Sequence, residues 1–312
     1  MLLQIQIPNE LIQHIFSFID PSTVLQYTRL CRRIRTSLTD THFATLNLRR
    51  FLHPNDISAH IKPSASPFDL LYFNWPDWYQ TAYIALHTKT LEVVDWEAKP
   101  ADKELMGWPL QNRITGSIPP SLGSLTHLKE LFMGRNLLSG PIPPELGLLA
   151  SLEILHLRAN SLSGPIPPSL GNLSNLQQLH LDDNLLSGSI PVELYKLSKL
   201  DTLNLNVNTL SGPIPPGISQ LTSLKRLSFD SNQLTGPVPL EMGEMVWLDF
   251  PLLQWQANRF DQVLPKGFRR DTRMWVALVR QGFRAFEGDT TEVLKLDEMS
   301  FEEAFEDYGE VE

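Results

Sequence analysis

Apolar and polar positions in this chain recur with a period of 24. Asn112, Asn136, Asn160, Asn184, Asn208 and Asn232 are each 24 residues apart. Each follows the run Leu-x-x-Leu-x-Leu-x-x-Asn, complete at Leu152, Leu155, Leu157 and Asn160 and again at Leu176, Leu179, Leu181 and Asn184. Four residues after each asparagine stands a glycine (Gly116, Gly140, Gly164, Gly188, Gly212, Gly236), and two residues later Ile or Val followed by Pro. A fixed period of this length signals a stacked solenoid and not one globular core. The alternation at Leu155-His156-Leu157 predicts a very short strand with leucines on one side and polar residues on the other. The asparagine amide, with donors and an acceptor, is suited to turn backbone groups of its own coil and the next. The glycine suits a bend with positive φ, and the Ile-Pro step favours extended chain. The segment Leu146-Gly147-Leu148-Leu149 is expected to return as a helical or 3₁₀ turn. One coil cannot bury its own leucines, so neighbouring coils must share a core.

This unit resembles the plant-type leucine-rich repeat. The match runs over roughly residues 91–265, and it implies an α+β repeat architecture: a right-handed solenoid of about seven 24-residue coils. Both ends depart from the pattern. Leu91, Val94 and Trp96 repeat the strand spacing, but Lys99 stands where the asparagine should be, and the ladder resumes only at Asn112. An inserted surface loop around residues 97–104 is the expected reason. At the other end Asn258 comes 26 residues after Asn232, Phe250 and Trp255 replace leucines, and Gln262 occupies the glycine position. Irregular terminal repeats are usual in solenoids. Residues 266–286, with apolar positions at Trp275, Leu278, Val279 and Phe283, predict a C-terminal capping helix.

A different module occupies residues 1–51. Leu11, Ile12, Ile15, Phe16 and Ile19 have helical spacing. Pro8 and Glu10 suit a helix start, Asp20-Pro21-Ser22 ends the segment, and Val24, Leu25, Tyr27, Leu30 and Ile34 form a second apolar face. Ile7-Pro8-Asn9-Glu10-Leu11, Ile15-Phe16-Ser17-Phe18-Ile19, Asp20-Pro21 and Leu30-Cys31-Arg32-Arg33-Ile34 together resemble an F-box, with Ile7 in place of Leu and Ile34 in place of Trp. The resemblance implies a three-helix motif that docks on the Skp-type adaptor of a cullin-containing ubiquitin ligase, with Pro8, Glu10, Leu11, Ile15, Leu25 and Leu30 as adaptor contacts. The alternative is that these helices only cap the solenoid. Residues 52–90 read as a turn-rich linker followed by an aromatic N-terminal cap (Phe68, Tyr72, Phe73, Trp75, Trp78, Tyr79, Tyr83).

Charge and cysteine content narrow the setting. The 312 residues carry a net charge of −9. Residues 287–312 hold eleven acidic side chains and one lysine, so the rest of the chain is close to neutral and the segment reads as an acidic, disordered tail. A near-neutral body gives no support to nucleic-acid binding. The single cysteine, Cys31, precludes an internal disulfide. No apolar run approaches the ~18 residues of a membrane span, and the first residues make a poor signal peptide. A soluble cytoplasmic or nuclear protein is expected.

The catalytic motifs sought are absent: there is no phosphate-cradling glycine loop, no Gly-x-Ser-x-Gly and no His-Glu-x-x-His, so no enzyme activity and no cofactor is expected. The variable positions of the strand segment make three columns on the expected concave face. One holds Phe132, His156, His180, Asn204 and Ser228; one Glu130, Ile154, Gln178, Thr202 and Arg226; one Gly134, Arg158, Asp182, Asn206 and Asp230. Stacked His156 and His180 invite a metal reading, with Asp182 nearby, but two imidazoles without a clear third ligand favour a polar binding surface. Phe132, Ile154, His156, Arg158, His180, Asp182, Asn204, Arg226 and Asp230 are therefore the expected contacts to an unidentified protein or peptide target.

Overall fold

The computed structural model describes Ala44 and residues 60–61, 92–95, 114–245, 257–269, 272–280, 282–284 and 286. Within them the chain winds through two parallel ladders. The first has seven strands, His60–Ile61, Val93–Asp95, Glu130–Phe132, Ile154–His156, Gln178–His180, Thr202–Asn204 and Arg226–Ser228. From Glu130 onward each residue pairs with the residue 24 positions ahead, as in Leu131 with Leu155 and Leu155 with Leu179. The central leucine of each three-residue strand is buried and the residues either side are mostly half-exposed, as the alternation predicts.

The second ladder is one the sequence reading did not anticipate. Thr115–Gly116, Leu137–Gly140, Ser161–Pro165, Leu185–Gly188, Thr209–Gly212, Gln233–Gly236 and Arg259–Phe260 form another seven-stranded parallel sheet. Its register advances 22 residues per coil and not 24, as in Gly140 with Leu162 and Gly164 with Leu186. The glycine still has positive φ, 79° at Gly164 for example, but it ends a strand and is not merely a bend. His60–Ile61 is a second difference: it lies in the segment read as linker and pairs with Val93–Val94. Parallel pairing needs only extended backbone and an open edge, so a turn-rich sequence is no bar to a two-residue strand.

Between the second ladder and the next coil lies a five-residue 3₁₀ turn, with Pro at its N-cap: Pro120–Ser124, Pro144–Leu148, Pro168–Asn172, Val192–Lys196, Pro216–Gln220 and Leu240–Glu244. Proline suits this entry because its φ is preset and its missing N–H would have been unpaired. The leucines of strand, ladder and turn are buried together in one core from Ile114 to Met245. The turns stack closely. A Cβ on Gly171 would lie 2.3 Å from the carbonyl oxygen of Glu193 in the next coil, and Gly147 meets Ser169 in the same way. In the fourth of these turns Tyr195 replaces the glycine, and the facing residue of the next turn is itself a glycine, Gly217, whose Cβ position is 3.1 Å from the tyrosine ring.

The asparagines join the coils. Asn184 Oδ1 accepts from the Leu162 N–H (3.0 Å), while its Nδ2 donates to the carbonyls of Leu157 (3.0 Å), Leu181 (3.2 Å) and Asp182 (3.2 Å). Asn208 and Asn232 repeat this set. The cross-coil bonds run to the preceding coil, whereas the sequence reading assigned them to the next. The residue before each asparagine (Arg135, Ala159, Asp183, Val207, Ser231, Ala257) is left-handed, with φ of 53–57°. After the last described coil comes an α-helix, Arg273–Arg280. It is shorter than the 266–286 span expected. Thr272 Oγ1 accepts from the Trp275 N–H (3.2 Å), so Thr272 acts as its N-cap. Met274 and Leu278 are buried in the common core, and Phe283, beyond the helix, faces Phe260 at 6.5 Å.

Candidate functional site

The exposed side of the first ladder carries the three variable columns. Strand register places Phe132, His156, His180, Asn204 and Ser228 side by side, and likewise Glu130, Ile154, Gln178, Thr202 and Arg226. The third column lies just past the strands. Its adjacency is shown by Arg158 Nε, 3.4 Å from Asp182 Oδ2.

The central column is a row of rings. Phe132 and His156 meet edge to face at 5.9 Å, and His156 and His180 at 4.8 Å, geometries that ring quadrupoles favour. Asn204 Nδ2 lies 2.9 Å from His180 Nδ1. With the amide donating, Nδ1 accepts and the proton of the neutral ring sits on Nε2. Burial, then the neighbouring His156 and Arg158, push His180 down to about 4, so it is neutral at pH 7.

The expected contact residues differ in availability. Phe132, Ile154, His156, His180, Asn204 and Asp230 are half-buried, and Arg226 is exposed. The Asp182 side chain is only 8% exposed and sits against Arg158. Burial raises the Asp182 carboxyl above its usual range despite the arginine, and burial raises Asp230 as well. Thr202 is buried, its hydroxyl donating to Asp201 Oδ1 at 2.6 Å.

A fourth column was missed: Lys129, Glu153, Gln177, Asp201 and Lys225. Alternation carried one residue back from the strand points this position inward. The strand, however, begins one residue later. Just before it, two successive N–H groups share one carbonyl, as Glu153 and Ile154 share that of Lys129. The side chain is thereby turned out. Lys129 pairs with Glu92 at 3.0 Å, and Gln177 donates to Glu153 at 3.2 Å. The run of charged and polar residues at 24-residue spacing was the available signal.

Among the described residues no group of three or more His, Cys, Asp or Glu could hold a metal ion, so the histidine pair has no third ligand of these types. No described helix is long and apolar enough to cross a membrane. The expected adaptor contacts Pro8, Glu10, Leu11, Ile15, Leu25 and Leu30 lie outside the described residues. So do Cys31, the aromatic segment 68–86, the insertion 97–104, Asn112 and the acidic segment 287–312.

Comparison with known families settles the class. Residues 127–149, 151–173, 175–197 and 199–221 each match the leucine-rich repeat model, and residues 5–47 match the F-box-like model. The chain is an F-box/leucine-rich-repeat protein. Solved structures similar to it include a TDR receptor (38% identity over 60% of this chain and 30% of that one, TM-score 0.49). Another is the plant peptide hormone receptor RGFR1 in complex with RGF2 (30% identity, 58% and 34%, 0.42). A third is the ectodomain of the receptor kinase SOBIR1 from Arabidopsis thaliana (38% identity, 41% and 69%, 0.39). The F-box/leucine-rich-repeat chain thus spans about a third of the first two receptor chains. At these TM-scores the fold assignment rests on the paired ladders themselves. No curated protein matches the sequence.

Proposed function

We propose that this F-box/leucine-rich-repeat protein is a substrate-recognition subunit of a Skp–cullin–F-box ubiquitin ligase. Its F-box-like segment docks on the Skp-type adaptor through Pro8, Glu10, Leu11, Ile15, Leu25 and Leu30. The exposed side of the first ladder, as the concave face of a right-handed solenoid of about seven coils, holds the target protein. The helix Arg273–Arg280 closes the far end of the core. Catalysis belongs to other subunits, and this chain raises the effective concentration of target near them. The setting is cytoplasmic or nuclear, with neither membrane nor nucleic acid as partner.

The observation that carries this reading is the coexistence in one chain of an F-box-like match at residues 5–47 and a repeat whose scaffold positions are uniform while its exposed columns vary. A second reading makes the N-terminal helices a solenoid cap. It is favoured by Ala44, which is fully buried and belongs to the same core as Val94 and the repeat leucines. Pull-down of the purified adaptor with the full chain separates the two. The ligase reading expects capture that is lost on Pro8→Ala with Leu11→Ala while the circular dichroism of the repeat is unchanged. No capture by the parent chain leaves the scaffold reading.

A further inference from the structure

The exposed face of the first ladder is polarised along its length. At one end Phe132 has Ile154 diagonally beside it, His156 packed edge-on at 5.9 Å, and at the third-column position Gly134, which has no side chain. The result is an apolar notch with Phe132 as its wall. At the other end stand Lys225 and Arg226, both exposed, and neither side chain makes a hydrogen bond or ion pair among the described residues. The two other cations near this face are paired, Lys129 with Glu92 and Arg158 with Asp182. Unspent positive charge is therefore concentrated at the Arg226 end. The middle is uncharged: a neutral His180, Asn204 bonded to it, and the buried Thr202.

We propose that this face selects an extended peptide carrying an apolar or aromatic side chain for the Phe132 notch and an Asp or Glu for Lys225 and Arg226. The two anchors are separated by four steps of the ladder, about 19 Å at the ~4.8 Å spacing of paired strands. An extended chain at ~3.3 Å per residue covers this in roughly six residues. The notch contributes affinity by burying an apolar side chain, and the cations set sequence preference and register by charge complementarity. This rests on the reading of the first ladder as the target-binding face and names the class of target segment.

Phage display of random dodecapeptides on the immobilised full chain tests it. Enriched sequences are expected to hold Phe, Trp, Leu or Ile five to seven residues from Asp or Glu. With Lys225→Glu plus Arg226→Glu, selection at the second position should switch from acidic to basic. With Ile154→Asp the apolar preference should disappear. All three positions are solvent-facing, and thermal melts confirm that each variant is folded. For an enriched peptide, fluorescence anisotropy should show about tenfold weaker binding to the charge-reversed chain. Peptides that depend on Ile154 but carry no acidic residue at that spacing overturn the inference and leave the face as the binding site. Capture insensitive to both sets of substitutions, or no capture, overturns the inference and the assignment of this face together. The adaptor pull-down is unaffected by either outcome, so failure of the ligase reading is recorded separately.

Discussion

Replacing Asn184 tests the ladder at its best-connected rung. The side chain is 6% exposed, and its amide serves four backbone groups in two coils. Asn184→Ala leaves the buried Leu162 N–H without its acceptor and removes the donor from three carbonyls. An orphaned buried group costs about 1–3 kcal/mol. With the lost packing, a deficit of roughly 2–4 kcal/mol is expected. Asn184→Asp has the same shape and keeps an acceptor for Leu162, but it puts a carboxylate oxygen where Nδ2 now lies 3.0–3.2 Å from the carbonyls of Leu157, Leu181 and Asp182. Those carbonyls, with Asp182 and Asp183 adjacent in sequence, must raise the pKa of the new acid in the folded state. The folded form then binds its proton more tightly than the unfolded form, so stability is lowest above the folded pKa and recovers as pH falls through it. Urea denaturation of the three chains at several pH values reads this, with amide exchange at Leu162 as the local probe. A 2 kcal/mol loss corresponds to exchange about 30-fold faster. The reasoning fails if the Asp variant equals the parent at pH 8, or if its deficit is independent of pH.

Val207 is a β-branched residue at φ 53°, a conformation that costs such a side chain about 1–2 kcal/mol. Val207→Asn should therefore raise stability by about 1 kcal/mol in the same denaturation assay, and a loss would contradict the strain. Gly171→Ala should cost about 1–3 kcal/mol because its Cβ meets the Glu193 backbone, which cannot swing away; an unchanged melting temperature would mean that the turns are not in contact. Tyr195 has a buried hydroxyl with no partner, and burial raises its pKa. Tyr195→Phe removes an unpaired polar atom and should leave stability equal or higher, whereas a clear loss would reveal a bond to that hydroxyl. The His180 ring should titrate near pH 4 by NMR. The unfolded ring binds a proton from about 6.5 downward and the folded one does not until near 4, so this group's contribution to stability is lost as pH falls across that window. A midpoint above 6 would refute the buried neutral ring.

The repeat was legible because its scaffold positions are nearly invariant within the chain. Asparagine, glycine and leucine each answer a backbone or burial demand that every coil repeats, so identical spacing exposed the first ladder, its register and the core. The second ladder was not legible. Its strands consist of residues such as Leu185-Leu186-Ser187-Gly188, which read equally well as turn, and their pairing comes from stacking geometry and not from side-chain alternation. The left-handed residue before each asparagine was hidden for the opposite reason. Arg, Ala, Asp, Val and Ser all occupy it, because neighbouring bonds impose the conformation, among them the Val207 N–H to the Asp230 carbonyl at 3.0 Å. Of the candidate site, the side-by-side histidines and the adjacency of Arg158 and Asp182 followed from the period alone. The depth of Asp182 did not, since it depends on how its neighbours fold over it.

Tyr195 and Gly217 show how far coils can vary before the stack fails. In the first three turns the small residue is the fourth and the facing residue carries a Cβ; at the fourth turn the arrangement is reversed. What is conserved between coils is the summed thickness at the contact, not the identity of either residue. The same logic separates scaffold from site across the whole solenoid. A column facing a neighbouring coil through backbone can change only in compensated pairs. A column on the first ladder faces solvent and changes freely, from Phe132 to Ser228 within five coils. Selection for a target can therefore act on the exposed columns without disturbing the stack, and that freedom is what allows an apolar notch and a pair of unspent cations to lie on one uniform frame.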